Sequence, residues 1–322
     1  MSRRQVLKVA IAAGCALIAN TVFAQSDKPI SLVLGYSAGG TTDFVARTVA
    51  VEMSKALGRQ IIVDNVPGAS GMLAAQKVSN APADGSMIYL GGTDTVVIPM
   101  VNKKIKVNWE KDFQLLGRSS YVSMVMAVSI KSKYNTLQDL LTDLRKGKND
   151  FSYASPGIGT MQHIFGSALN TSAKVSMVHV PYKGGAQITT DVIGGHVDSG
   201  ILTTTSAMQF IKDGSIKILT IADTVRSPAL PNVKAIVEEE GLTKMAMPLW
   251  QAFFVKAGTP PAIVSAYEKA LLTAVANPEV QAKFKEAGAT PAPLDGKAMT
   301  AYVKEQSAVY KEAIDSAKIA AE

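Results

Sequence analysis

Most of the chemistry this sequence offers lies in four short stretches rich in glycine and hydroxyl side chains, at 36–43, 66–71, 155–160 and 181–186. Each follows an apolar run and leads into an amphipathic one. Glycine lets a backbone approach a ligand closely, and free N–H groups at a helix N-terminus favour an anion. The first stretch supplies Tyr36, Ser37, Ala38, Gly39, Gly40, Thr41, Thr42 and Asp43 as candidate ligand-binding residues, and the second Ala69 and Ser70. The third supplies Ser155, Gly157, Gly159 and Thr160, with His163 one turn on; the fourth supplies Tyr182, Lys183 and Gly184. Thr93 and Asp94, at the end of another apolar run, complete the set. Singly, each stretch is ordinary turn chemistry. Four of them, two in each half of the chain, point to a site. Hydrogen bonds with a charged partner contribute about 1.5–3 kcal/mol each, so a handful reach micromolar affinity, about −8 kcal/mol.

None of these loops carries an arginine, and Lys183 is their sole cation. A carboxylate is therefore expected to be held by backbone N–H groups, hydroxyls and bridging water rather than by an arginine fork. Lys183 itself reads as a solvated loop lysine. Asp43 either binds a ligand amine or hydroxyl or serves its own helix. Tyr36 and Tyr182 either flank a ring or line the cleft. A side chain at Gly40 or Gly159 is expected to block the ligand or to meet forbidden backbone angles.

Catalytic constellations fit poorly. There is no Gly-x-Ser-x-Gly elbow and no phosphate-loop lysine, and Gly157-x-Gly159 lacks the third glycine of a dinucleotide fingerprint. His163, His179 and His196 fall on three different elements without metal spacing. His163 is placed to face a cleft, whereas His179 on an apolar strand reads as a packing residue. No cofactor and no metal are expected.

The loops need scaffolding. Strand-like runs alternate with helical ones from end to end, which argues for parallel sheets covered by helices. Strands are expected at 30–34, 61–63, 87–91, 122–129, 151–154, 175–180, 197–202 and 216–222. The helix after the first loop is expected to be capped by Thr41 or Thr42 and ended by Gly58. The segment 248–255 crosses back to the first half, and three terminal helices follow, at 260–276, 278–287 and 296–318. Two crossings imply two lobes on a two-stranded hinge that can close on a ligand.

Arg3, Arg4 and Lys8 precede an uncharged apolar stretch, and Val22-Phe23-Ala24 offers a cleavage site before Gln25. Residues 1–24 are thus expected to be an export signal, by the twin-arginine or the general secretory route, and the location periplasmic. Its removal takes away three positive charges and no acid, so the net charge of +7 becomes +4. It also removes the single cysteine, Cys15, leaving no thiol or disulfide. No Lys/Arg block with interleaved aromatics suggests nucleic acid.

The loop motifs themselves resemble a known family. The run from Tyr36 to Arg47, Asp64-Asn65-Val66-Pro67-Gly68-Ala69-Ser70-Gly71, Ala83-Asp84-Gly85, and Tyr153 to Thr160 with His163 are similar to those of tripartite tricarboxylate transporter substrate-binding proteins, the Bug family. Val180-Pro181-Tyr182-Lys183-Gly184-Gly185-Ala186, Gly194-Gly195, Arg226 and Leu230-Pro231 continue the match in order. The resemblance implies an α/β type II periplasmic binding protein with its ligand cleft between two hinged lobes. Lobe one is expected from 25–124 and 250–322, and lobe two from 125–249. It also implies a small organic carboxylate as ligand, held through ordered waters by the loops at 36–43 and 155–160. The implied partner is a two-subunit membrane permease, with the protein itself a monomer and not an enzyme. A sensor subunit of a membrane receptor, or an enzyme on the same fold, are the alternatives. Tyr36-Ser37 departs from the family's usual approach to the glycines, so the first loop is the least transferable.

Overall fold

The computed structural model describes residues 28–147 and 150–317. The expected export signal at 1–24, with Arg3, Arg4 and Cys15, lies outside them. Aliphatic runs that alternate with amphipathic helices become strands whose crossovers bury both faces of a sheet. In chain order the first strands are β1 (Ile30–Leu34), β2 (Ile61–Asn65), β3 (Met87–Gly92), β4 (Phe113–Val122) and β5 (Met124–Ser129). Then come β6 (Ser152–Ser155), β7 (Val178–Pro181), β8 (Ser199–Thr203), β9 (Ile216–Ile221), β10 (Leu249–Lys256) and β11 (Ala289–Asp295). They form two sheets, ordered β11-β4-β10-β3-β1-β2 and β7-β6-β8-β5-β9. In the first, β1 pairs in parallel with β2 and β3, and β10 lies antiparallel between β3 and β4. In the second, β6 is parallel to β7 and β8, while β5 is antiparallel to β8 and β9. The result is a mixed α/β, two-lobed molecule.

The chain passes between the sheets twice. Only Ser123 separates β4 from β5, and its hydroxyl donates to Asp223 Oδ2 at 2.6 Å. The return enters β10 at Leu249. A third tie comes from the last helix, Gly296–Ala317. It packs against β4 of the first sheet and against the helix Met161–Ala173 that follows β6 of the second. Its Met299, Val303, Tyr310 and Ile314 share one core with Tyr153 and Met161. Trp250 is wholly buried there and donates its indole N–H to Tyr310 Oη at 2.7 Å. Burying a tryptophan contributes roughly 5 kcal/mol, far above the 0–1 kcal/mol of an exposed ion pair such as Lys304–Glu110.

Some elements differ from expectation for identifiable reasons. β11 replaces an expected loop: Pro291 and Pro293 suppress the strand signal, but β11 is the sheet's edge, where prolines are tolerated. Residues 175–177 lie outside β7, because Asn170 grips both backbone groups of Met177 and holds that segment as irregular backbone. After β3 the chain forms the helix Thr93–Val101 despite its internal Pro99. No helix among the described residues is long and apolar enough to cross a membrane.

Candidate functional site

The loop after β1 leads into the helix Thr41–Leu57, which ends at Gly58 in the left-handed conformation as expected. Its start differs. Gly40, not a threonine, occupies the N-cap, and no side chain caps this end. Thr41 is already helical and turns its hydroxyl to that of Thr203 in the opposite lobe. Asp43 does not supply the missing acceptor, since its carboxylate receives Gly39 N at 3.1 Å, Arg47 Nε at 3.0 Å and Asn65 Nδ2 at 3.1 Å. Burial pushes this carboxyl up, but those hydrogen bonds outweigh it and hold the pKa below the usual carboxylate value. Asp43 therefore braces the loop.

Opposite, the loop after β6 is closed upon itself. Thr160 Oγ1 donates to Gly157 O at 2.8 Å and accepts from His163 N at 3.3 Å, capping the helix Met161–Ala173. Gly159 N donates to His163 Nδ1 at 3.1 Å. The His163 ring stacks on His179 with centroids 3.9 Å apart, and His179 Nε2 is hydrogen-bonded to Ser155 Oγ at 2.7 Å. Burial, with a smaller push from His163, lowers the His179 pKa to about 3. The next helix, Gly185–Gly194, again has a glycine N-cap, Gly184, and no capping side chain. Tyr182 beside it donates to Asp191 at 2.6 Å, and burial and that carboxylate push its hydroxyl up to about 12.

The two lobes meet around a cavity of about 50 Å³. Tyr36, Gly40, Thr41, Thr42, Asp94, Leu249 and Gln251 line it from lobe one; Pro156, Gln162, Gly185, Leu202, Thr203 and Ser206 line it from lobe two. A smaller neighbour of about 30 Å³ reaches Ser70 and Thr93, and a larger outer one of about 310 Å³ is lined by Ala69, Ser70, Gly157, Tyr182 and Lys183. Ser70 Oγ spans the lobes to Ile158 O at 2.8 Å. Asp94 spans them too, accepting Met161 N at 2.9 Å and Tyr36 Oη at 2.5 Å. It keeps some exposure to the cleft, yet burial raises its pKa against those two hydrogen bonds. Burial and the Asp94 charge in turn hold the Tyr36 hydroxyl well above its ordinary value.

The sequence candidates thus divide. Tyr36, Gly40, Thr41, Thr42, Ala69, Ser70, Thr93, Asp94, Gly157, Tyr182 and Lys183 line these three cavities, whereas Ser37, Ala38, Gly39, Asp43, Ser155, Gly159, Thr160, His163 and Gly184 do not. Several of the latter shape the loops through the bonds just described. Gln162, Thr203, Ser206 and Gln251 line the central cavity without having been anticipated. Thr203 ends β8 and Ser206 follows it, in the same hydroxyl-rich pattern as the other loops; the two glutamines carry no such signal. The glycines also divide. Gly39 (φ +82°), Gly157 (φ +150°) and Gly159 (φ +78°) need their freedom. Gly40 has φ −89°, and an added Cβ would come no closer than 3.7 Å to Ser37 O, so forbidden backbone angles, one of the two reasons expected for a glycine here, do not apply.

The family of tripartite tricarboxylate transporter family receptors matches this chain over residues 45–319. The chain is 31% identical, over 82% of its length and 79% of the relative's, to the UPF0065 protein in the tcbD-tcbE intergenic region of Pseudomonas sp. (strain P51). Its fold superposes on R. palustris Rpa4515 with adipate at a TM-score of 0.88 and 25% identity, covering 92% of this chain and 100% of that one. With MatC of Rhodopseudomonas palustris with bound malate, the TM-score is 0.83 and the identity 25%, over 89% and 98% of the two chains.

Proposed function

Since the chain belongs to the tripartite tricarboxylate transporter family of receptors, we propose that it captures a small carboxylate-bearing organic anion between its lobes and presents it to a membrane permease. One observation carries this reading: two helices, Thr41–Leu57 and Gly185–Gly194, bring glycine-capped N-termini without side-chain caps to one cavity from opposite lobes. Each N-terminus has an effective charge of roughly +0.5, so together they offset about one carboxylate. Among the described residues no lysine or arginine lines the cavity, so backbone N–H groups and the hydroxyls of Thr41, Thr42, Thr203 and Ser206 do the gripping. The solved neighbours that carry adipate and malate support a carboxylate ligand.

In this reading lobe one comprises 25–124 and 250–322, lobe two 125–249, and closure brings the two helix ends onto the ligand. Cleavage after Ala24 places the protein in the periplasm as a monomer that meets a two-subunit permease and performs no chemistry. The test is calorimetry with malate and adipate against their diamides. We expect at least one acid to bind at micromolar level and its diamide about 100-fold more weakly. Equal binding of acid and diamide would remove the anion from the account.

A further inference from the structure

The three cavities between the lobes adjoin one another. The outer one, about 310 Å³, shares Gly35, Ser70 and Gly71 with the smallest and Pro156 with the central one of about 50 Å³. Lysines stand around the outer space from both lobes. Lobe one contributes the turn after the helix Thr93–Val101, where Asn102 and Ile105 line the cavity and Lys103, Lys104 and Lys106 are exposed beside them. Asn102 fixes that turn, its Oδ1 accepting Lys104 N at 2.9 Å and its carbonyl accepting Ile105 N at 3.2 Å. Lobe two contributes exposed Lys183, which lines the cavity itself. Among the described residues none of these four lysines makes an ion pair, whereas Lys55, Lys77, Lys133, Lys146, Lys304 and Lys311 each have a carboxylate partner. No aspartate or glutamate among the described residues lines the outer cavity, and Asp94 belongs to the two inner ones. The acids nearest the turn in the chain are engaged elsewhere: Glu110 pairs with Lys304, and Asp112 accepts Asn108 N at 2.7 Å. A cleft bordered by charge of one sign focuses its field between low-dielectric walls and raises association rates about 10- to 1000-fold.

We propose that the outer cavity is where the anion enters, and that Lys103, Lys104, Lys106 and Lys183 steer it there without holding it. This rests on the carboxylate reading above and gives it a route and a rate of capture. Position divides the roles. Groups that touch the bound anion at the helix ends set how fast it leaves, while unpaired charges at the rim act from a distance and set how fast it arrives. Salt separates the two. The screening length is about 30 Å at 0.01 M ionic strength and about 3 Å at 1 M, so the rim lysines act in the first condition and are silenced in the second.

The test is stopped-flow association of malate and adipate with the mature chain, read by tryptophan fluorescence, since Trp250 lines the smallest cavity. At about 0.01 M ionic strength the triple variant Lys103→Gln, Lys104→Gln, Lys106→Gln should bind about tenfold more slowly, with dissociation within about twofold. Lys183→Gln, on the other lobe, should slow association about threefold, and both differences should vanish at about 1 M salt. Calorimetry checks the rates, because Kd should weaken by the same factors at low salt and match the parent at high salt. A control removes equal charge from the C-terminal helices, Lys269→Gln, Lys285→Gln and Lys297→Gln; none of these helices lines the three cavities, and association should stay within about twofold. Thermal melts show that each variant is folded. An unchanged association rate, a loss carried by faster dissociation, or an equal loss in the control overturns the steering alone. Failure of both acids to bind overturns it together with the carboxylate reading.

Discussion

Two helix N-termini face the cleft after loops of nearly the same composition, and they are in opposite states. The helix Met161–Ala173 begins satisfied: Thr160 Oγ1 accepts from His163 N, and Asp94 brings a carboxylate to Met161 N. The helix Thr41–Leu57 begins at Gly40, which has no side chain to offer, and its Asp43 turns back to Gly39, Arg47 and Asn65. One end carries its anion as part of the protein. The other has no capping side chain, and in the proposed function it takes its acceptor from the ligand. A single N-cap residue, threonine or glycine, decides which, because the first-turn N–H groups take an acceptor from the nearest side chain that has one.

The comparison breaks most visibly at Gly40. Gly40→Val fits the backbone, so stability should fall by only about 1 kcal/mol, the cost of a poor N-cap. Losing two charge-assisted hydrogen bonds should weaken carboxylate binding about 100-fold, read by calorimetry. Gly157→Ala comes next. Its φ of +150° and a Cβ placed 2.4 Å from Ser70 Oγ strain the contact that joins the lobes. Melting should show a loss of about 2 kcal/mol, with binding about tenfold weaker because closure suffers.

Thr160→Ala sharpens the contrast from the capped side. It should lower stability by about 1 kcal/mol while affinity stays within about threefold, since in the proposed function that end does not hold the ligand. An affinity loss as deep as that of Gly40→Val would mean both ends grip it. The smallest effect concerns the histidine stack behind the capped loop. The folded pKa of His179, about 3, lies below its ordinary 6.5, so the neutral form is the one the fold prefers. Its contribution is complete above pH 6.5 and is lost as pH falls towards 3. At pH 5.5 the loss should be about half a kcal/mol after allowing for partial exposure, and His179→Gln should flatten the slope of melting temperature against pH.

The loops were legible in the sequence because strand, glycine-hydroxyl turn and helix recur with clear boundaries, and their order carries the family motifs. Local pattern ran out where placement depends on the opposite lobe. Gln162 reads as an ordinary polar residue in a first helical turn and Gln251 as one polar residue in an apolar strand; only lobe apposition puts both in one cavity. Asp94 was found by position after β3, but its bond to Met161 N, 67 residues away, belongs to the tertiary fold. Thr41 and Thr42 have the right chemistry for a cap and sit one and two positions too late to act as one. β11 was hidden by its prolines, whose penalty depends on an edge position that sequence does not reveal.

The central claim is that the uncapped ends, and not the capped one, hold the anion. A crystal structure of the mature chain with one bound carboxylate tests it most directly. The account predicts carboxylate oxygens within about 3 Å of the backbone N–H groups at Thr41 and Thr42 and at Gly185 or Ala186, directly or through one water, with Asp94 still on Met161 N. A carboxylate seated on Met161 N with Asp94 displaced would contradict it.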